Sequence, residues 1–188
     1  VDVVLRPGQS LVTGSTRGAA VILWLDGPAI AQLDGRQMPA NAPVLASGTL
    51  LGEPLPTIPS SMAGRLLVTW PFELPPQPGE RRFDRAWQWL TMRGIEDGDR
   101  RALINTYFAA SMTGDAITHL ANNYSREYLI ERIEHGANRS LAIGVFPSVE
   151  LGPGQRFASK GAYLVQLRDQ ALTPASPWIV STLDTPGS

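Results

Sequence analysis

The sequence has no cysteine among its 188 residues. That removes disulfides, thiolate zinc sites, iron–sulfur ligation and cysteine nucleophiles together. The compartment stays open, because a chain of this length can build a core without disulfides even in an oxidising one. Lysine is nearly absent as well: fifteen arginines and Lys160 alone carry the basic charge. A Schiff-base or phosphate-loop lysine would have to be Lys160, which sits among turn residues. The formal net charge is -1, so no basic field exists to hold a nucleic-acid backbone, and no nucleic-acid partner is expected. No apolar run reaches eighteen residues, so no membrane-spanning helix is expected. The Gly-x-Ser-x-Gly elbow and the Walker glycine–lysine loop are both missing. Gly152-Pro153-Gly154 lacks the third glycine and the strand-to-helix setting of a dinucleotide fingerprint and reads as a turn.

What remains describes a folded α/β chain. Hydrophobic residues make up 43% and charged residues 18%, enough for a real core. Eighteen glycines and sixteen prolines are scattered as turns, not gathered in a tract. Val1 to Leu5 reads as a short β-rich run, with Leu11 to Thr13 as its extension after a bend. Ala19 to Leu25 (AAVILWL) is a continuous apolar run of strand length, the pattern of a strand buried on both faces. Asp26-Gly27-Pro28 then turns into a short helix, about Pro28 to Leu33, with Asp26 or Gly27 at the N-cap. Pro43 to Ala46 is a second strand and Arg65 to Trp70 a third, with a proline-rich loop from Gly52 to Gly64 between them. Strand, turn, helix, strand is the signature of a parallel βαβ unit.

Phe72 to Glu80 holds three prolines and marks the expected lobe boundary. Helical periodicity follows. Phe83 to Met92 places Phe83, Ala86, Trp87 and Leu90 on one face. A longer helix, about Arg100 to Ala121, is capped by Asp97 or Asp99 and turns Leu103, Ile104, Tyr107, Phe108 and Ile117 inward. Ser125 caps a third, Arg126 to His135, with Gly136 in the C′ position. β character returns at Phe146 to Leu151 and Ala162 to Leu167, read as a hairpin or two short strands, with Trp178 to Thr182 as a last edge strand.

Candidate chemistry is sparse. Gly14 to Gly18 with Arg17 reads as a loop before it reads as an anion nest. Asp115/His119 and Glu131/His135 are two i, i+4 pairs on neighbouring helices. They read as surface charge pairs, with a metal site between the helices as the sharper alternative. Asp26 and Glu73 both follow strands, yet acid/base work needs a partner of raised pKa that sequence does not reveal. The aromatics say more. Trp24, Trp70 and Phe72 lie at or near strand carboxyl ends, where open α/β sheets bind ligands, and Ser47 and Thr49 add hydroxyls at another such end. Core packing is the competing reading for all three rings.

The order and spacing of these blocks carry a family resemblance. AAVILWLDGPAIAQL, PVLASGTLLG, GRLLVTWPFELP, and SREYLIERIEHGAN followed by FPSVELGPGQRFASKGAYLVQL together make the chain from about Gly18 to Leu167 resemble the C-terminal half of periplasmic substrate-binding proteins of the branched-chain amino acid type, the type I periplasmic binding fold. The resemblance implies a three-layer α/β/α architecture with a mostly parallel sheet, a C-terminal β-hairpin and a partial two-lobe fold. Residues 1–70 with 140–188 would form the second-lobe α/β portion and residues 71–139 a helical portion of the first lobe. It implies a periplasmic solute receptor of an ABC transporter, with no catalysis, cofactor or metal, that meets a membrane permease or a sensor.

Site residues implied by the resemblance are Trp24, Asp26, Ser47, Gly48, Thr49, Trp70 and Phe72. Amino-acid binders of the family place a carboxylate near the position of Thr49, so an uncharged hydrophobic or aromatic solute, or a carboxylate, is expected alongside an amino acid. A non-catalytic interaction or scaffold domain that has lost its ligand is the alternative, and an enzyme using His119 or His135 ranks behind both. The N-terminal half of such a fold is missing here. The chain is therefore read as a mature or excised form, a fragment or a subunit, expected to associate with that half, a companion chain or a second copy through stripes such as Leu103, Ile104, Tyr107 and Phe108.

Overall fold

Apolar alternation sets the strands. In the computed structural model, which describes residues 20–34, 38–39, 41–75, 83–120, 124–137, 144–151, 158–168 and 171–180, three parallel strands run through the first part of the chain: β1 (Val21–Leu23), β2 (Val44–Ser47) and β3 (Leu66–Trp70). Their registers align Leu23 with Ala46 and Ala46 with Val68. The run Val1 to Leu5, the extension Leu11 to Thr13, the Gly14–Gly18 loop and the turn Gly152–Gly154 lie outside the described residues.

β4 (Gly161–Arg168) adds to β3 in the antiparallel sense, and β5 (Ala171–Pro174) adds to β4 likewise. The sheet order is β1-β2-β3-β4-β5, a mixed sheet that is parallel over its first three strands. β6 (Ile179–Val180) pairs with the start of β4. Two expectations change here. Phe146 to Leu151 is not a strand, and the C-terminal hairpin is β4 with β5. The reason is local: residues 171–174 carry Thr173 and Pro174, which look like loop chemistry, but an edge strand tolerates proline because one row of its N–H groups needs no partner.

One face of the sheet is packed. Leu23, Val44, Ala46, Leu66, Val68, Trp70 and Val165 are buried, and Val44, Val68 and Val165 are wholly so. Each of the buried valines and leucines contributes roughly 1.5–3 kcal/mol. The residues between them are not buried. Ile22 is 73% and Trp24 78% exposed, and Leu45, Ser47, Leu67 and Thr69 are half-buried. The run AAVILWL is therefore not covered on both faces among the described residues. Its unbroken apolarity hides a true alternation.

Two short helices follow the strands. α1 (Gly27–Ala31) starts at Asp26, whose carboxylate accepts from Ala29 N at 2.9 Å, and buries Ile30. α2 (Gly48–Leu51) starts at Ser47. It follows directly on the second strand, where the sequence marks no element, and is too short for periodicity to reveal. Gly48 sits against the Trp70 ring, and Leu51 is buried. Met62 is fully buried, and Arg65 Nη1 donates to Pro39 O at 2.6 Å.

The chain divides into two compact units, Val1–Trp70 with Tyr163–Trp178, and Pro71–Ala162 with Ile179–Ser188. The return crossing thus falls at Ala162/Tyr163, later than a boundary after residue 139. The second unit is helical: α3 (Asp84–Met92), α4 (Arg100–Thr118) and α5 (Arg126–Ala137). Asp99 caps α4 through Ala102 N at 2.9 Å, and Ser125 Oγ caps α5 through Tyr128 N at 3.1 Å. α3 packs on α4 through Trp89 and Tyr107, whose ring centroids are 5.5 Å apart. Of the stripe on α4, Ile104 is buried while Leu103, Tyr107 and Phe108 are half-buried. Ile117 does not point inward: it is 49% exposed and Ala116 takes the buried position. Gly136 is not a C′ residue either, because α5 continues through it to Ala137.

Candidate functional site

Parallel register brings the carboxyl ends of β1, β2 and β3 to one end of the sheet in the first unit. Ser47 pairs with Thr69, and Thr69 with Leu164. Trp24, one residue past the Leu23–Ala46 pair, continues that row on the open face. Trp24, Asp26, Ser47, Gly48, Thr49 and Trp70 all fall at this end.

Their environments differ. Trp24 and Thr49 are exposed, and Ser47 is half-buried. The Ser47 hydroxyl makes no capping hydrogen bond to α2 although its backbone is in the N-cap conformation. Asp26 is exposed and already serves α1 through one carboxylate oxygen. Trp70 is only 5% exposed, and its ring lies over Gly48. Gly48 and Trp70 thus pack together on the buried side of this end, while Trp24 and Ser47 offer an aromatic plate and a hydroxyl on the open face, and the exposed Thr49 adds a second hydroxyl from α2. Thr69, which sequence reasoning did not single out, shares the row with Ser47. Its Oγ1 donates to Ala46 O at 3.3 Å and fixes the end of β2. The β-branched alternation of RLLVTW is the signal that could have found it.

Phe72 lies in the second unit. It is buried, its ring centroid is 5.6 Å from that of Phe146, and the Arg101 guanidinium stands 4.3 Å over it. Glu73 belongs to the same unit, so Asp26 and Glu73 come from different units. His119 caps the end of α4, with Nδ1 2.8 Å from Asp115 O and 3.7 Å from Asp115 Oδ1, an exposed i, i+4 pair. His135 is exposed in the last turn of α5. Among the described residues no group of three or more histidines and carboxylates could hold a metal. No helix among them is long and apolar enough to cross a membrane. A shallow cleft of about 390 Å³ opens at the other end of the sheet, between the segment Pro56–Gly64 and Leu167–Arg168.

No family model matches the chain, and no curated protein does. Solved structures do. An ABC transporter substrate-binding protein of Aeropyrum pernix is similar at 16% identity and a TM-score of 0.51, over 79% of this chain and 41% of that one. The leucine-binding protein LivK of Thermotoga maritima is similar at 20% identity and a TM-score of 0.50, over 86% of this chain and 44% of that one. The chain therefore spans less than half the length of the structures it resembles. At these identities the likeness speaks for the fold: a partial type I periplasmic substrate-binding fold, built on the α/β unit and the helical unit described above.

Proposed function

We propose that the chain is part of a periplasmic solute receptor that serves an ABC-type transporter, and that it binds a small molecule without transforming it. The carrying observation is the strand-end row in the first unit, where Trp24 is 78% exposed beside the uncommitted Ser47 hydroxyl. An exposed tryptophan with hydroxyls at the carboxyl ends of parallel strands is a ligand-binding arrangement. The likeness to substrate-binding proteins supports the same reading. In it, the α/β unit is the second-lobe portion and the helical unit belongs to the first lobe. The solute class includes aromatic and carboxylate solutes as well as amino acids.

A thermal-shift screen over leucine, valine, aromatic acids, amides and polyols tests this. A binding solute raises the melting temperature by mass action, by roughly 2.7 kcal/mol of stability at a hundred times its Kd. Trp24→Ala should abolish the shift. Silence across the panel, with the complete receptor in hand, sinks the solute reading.

A second reading has its own observation. The registered row Ile22, Leu45 and Leu67 makes an apolar face in mid-sheet, away from the strand ends, and Ile22 is 73% exposed. A face of this kind belongs under a covering layer. An interaction domain without ligand would use it to meet a companion chain, and a receptor would cover it with the remaining half of the fold.

A further inference from the structure

The amino ends of β1, β2 and β3 lie at the opposite end of the sheet from the strand-end row, and the carboxyl end of antiparallel β4 joins them there. The cleft of about 390 Å³ opens at this end, and every residue that lines it belongs to the first unit. Its volume falls at the lower end of the range of small-molecule sites, about 300–1,000 Å³. One wall is a tight turn. Met62 N donates to Pro59 O at 2.8 Å, Ala63 N to Ser60 O at 3.2 Å and Arg65 N to Met62 O at 3.0 Å. The Met62 side chain is wholly buried and anchors the turn to the core. Gly64 ends the turn at φ +82°, with nothing within 4 Å of an added Cβ, so the space beside it is open.

The lining sorts into two parts. Pro56, Ile58, Ala63 and Leu167 supply an aliphatic surface without an aromatic ring. Arg168 supplies a charge, and Thr57 and Ser60 supply hydroxyls at the rim. No carboxylate lines the cleft among the described residues. The Arg168 side chain is exposed and makes no hydrogen bond, ion pair or ring contact among them. A second guanidinium belongs to the same end of the ladder. Continuing the β3–β4 register two residues past the Leu67–Gln166 pair sets Arg65 across from Arg168. Arg65 donates to Pro39 O at 2.6 Å and to Ser61 O at 3.4 Å, which holds it in place and leaves its charge in the field. Two guanidinium charges opposed on a ladder favour an anion beside them.

We propose that this cleft is a binding site for a short aliphatic carboxylate, separate from the strand-end row. The planar fork of Arg168 matches a carboxylate through two parallel N–H donors. The aliphatic chain of the ligand covers Ile58, Ala63 and Leu167 and removes their surface from water. An inorganic anion has no such chain and leaves that surface wet. A free amino acid is disfavoured, because its ammonium would stand beside the same two guanidiniums. The site thus selects for a negative charge at one end of a small apolar body.

Methyl NMR of the 188-residue chain, with hexanoate as the probe, tests this. Hexanoate at millimolar concentration should shift the Ala63 and Leu167 methyl resonances saturably. Hexanamide, which has the same chain without the charge, should bind roughly tenfold more weakly or worse, and so should leucine and inorganic phosphate. Arg168→Gln should weaken hexanoate by a similar factor, and Arg168→Lys should restore only part of it. Ala63→Glu, a second variant at an exposed position, puts a carboxylate into the cleft and should weaken hexanoate alike. Unshifted methyls in the parent, equal affinity for hexanoate and hexanamide, or undiminished binding in Arg168→Gln overturns the proposal. Trp24→Ala should leave hexanoate binding unchanged. Loss of binding there would assign the shifts to the strand-end row and overturn the cleft as a site of its own. A silent thermal-shift panel sinks the solute reading without touching these shifts, so the two readings fail separately.

Discussion

Gly48 lies beneath the ring of Trp70. A Cβ at position 48 would stand 2.7 Å from Trp70 Cε3 and 2.9 Å from Thr69 O. One of these neighbours is backbone and the other an indole buried to 5% exposure, so neither can step aside. The contact ties the start of α2 to the carboxyl end of β3.

Gly48→Ala should destabilise the chain by roughly 1–3 kcal/mol through overpacking, read as a lower urea midpoint at unchanged slope. Gly114→Ala is the internal control. Position 114 is in α4 with nothing within 4 Å of the added atom, and the change should stabilise by roughly 0.5–1 kcal/mol. Equal midpoints for the two variants would show that Gly48 is not under compression.

Much of this was legible from residue order, and the losses have physical causes. Leu66–Trp70 and Asp84–Met92 stand within a residue of their sequence-read bounds because each has a clear period and a clear stop. Ser125 was legible as a cap, and Asp99 as one of two candidates with Asp97. Trp24 was ambiguous because an all-apolar run carries no period from which to read its exposed side. The β4–β5 hairpin was illegible because Pro174 and Pro177 disguise an edge strand as a loop. Phe72 looked like a strand-end ligand contact, but Arg101 and Phe146 enclose it, and contacts at such sequence distance leave no local trace.

Asn105 should matter out of proportion to its position on α4. Its Oδ1 accepts from Val145 N at 3.2 Å, across forty residues, while Val145 O accepts from Glu73 N at 2.6 Å. Val145 is 5% exposed, so Asn105→Ala strands a buried N–H. The expected cost is roughly 1–3 kcal/mol. Chemical denaturation of Asn105→Ala against Thr106→Ala, an exposed neighbour, separates this from a general helix effect.

Asp99→Ala removes the carboxylate that holds Ala102 N and should cost roughly 1 kcal/mol, whereas Asp99→Asn keeps an acceptor and most of the stability. Circular dichroism melts of the pair give the comparison. Identical melts for Asp99→Ala and the parent would mean that α4 starts without help from its cap.

Association should follow the open sheet face. The isolated chain is expected to self-associate at high concentration, and Ile22→Ser with Trp24→Ser should reduce it, as light scattering will register. A parent chain that stays monomeric at millimolar concentration contradicts this. So does association that persists undiminished in the double variant.

The pairing of Trp70 with Tyr163 also sets an order of events during synthesis. β3 leaves the ribosome with one edge unanswered, and its partner is still about ninety residues away. At roughly 5–20 residues per second that edge waits about 5–20 s for β4. The three helices α3, α4 and α5 are all made within this interval. An unclosed sheet edge of such duration is a natural substrate for a holding chaperone, and a pause in translation before residue 161 would lengthen the exposure without changing a single contact in the finished molecule.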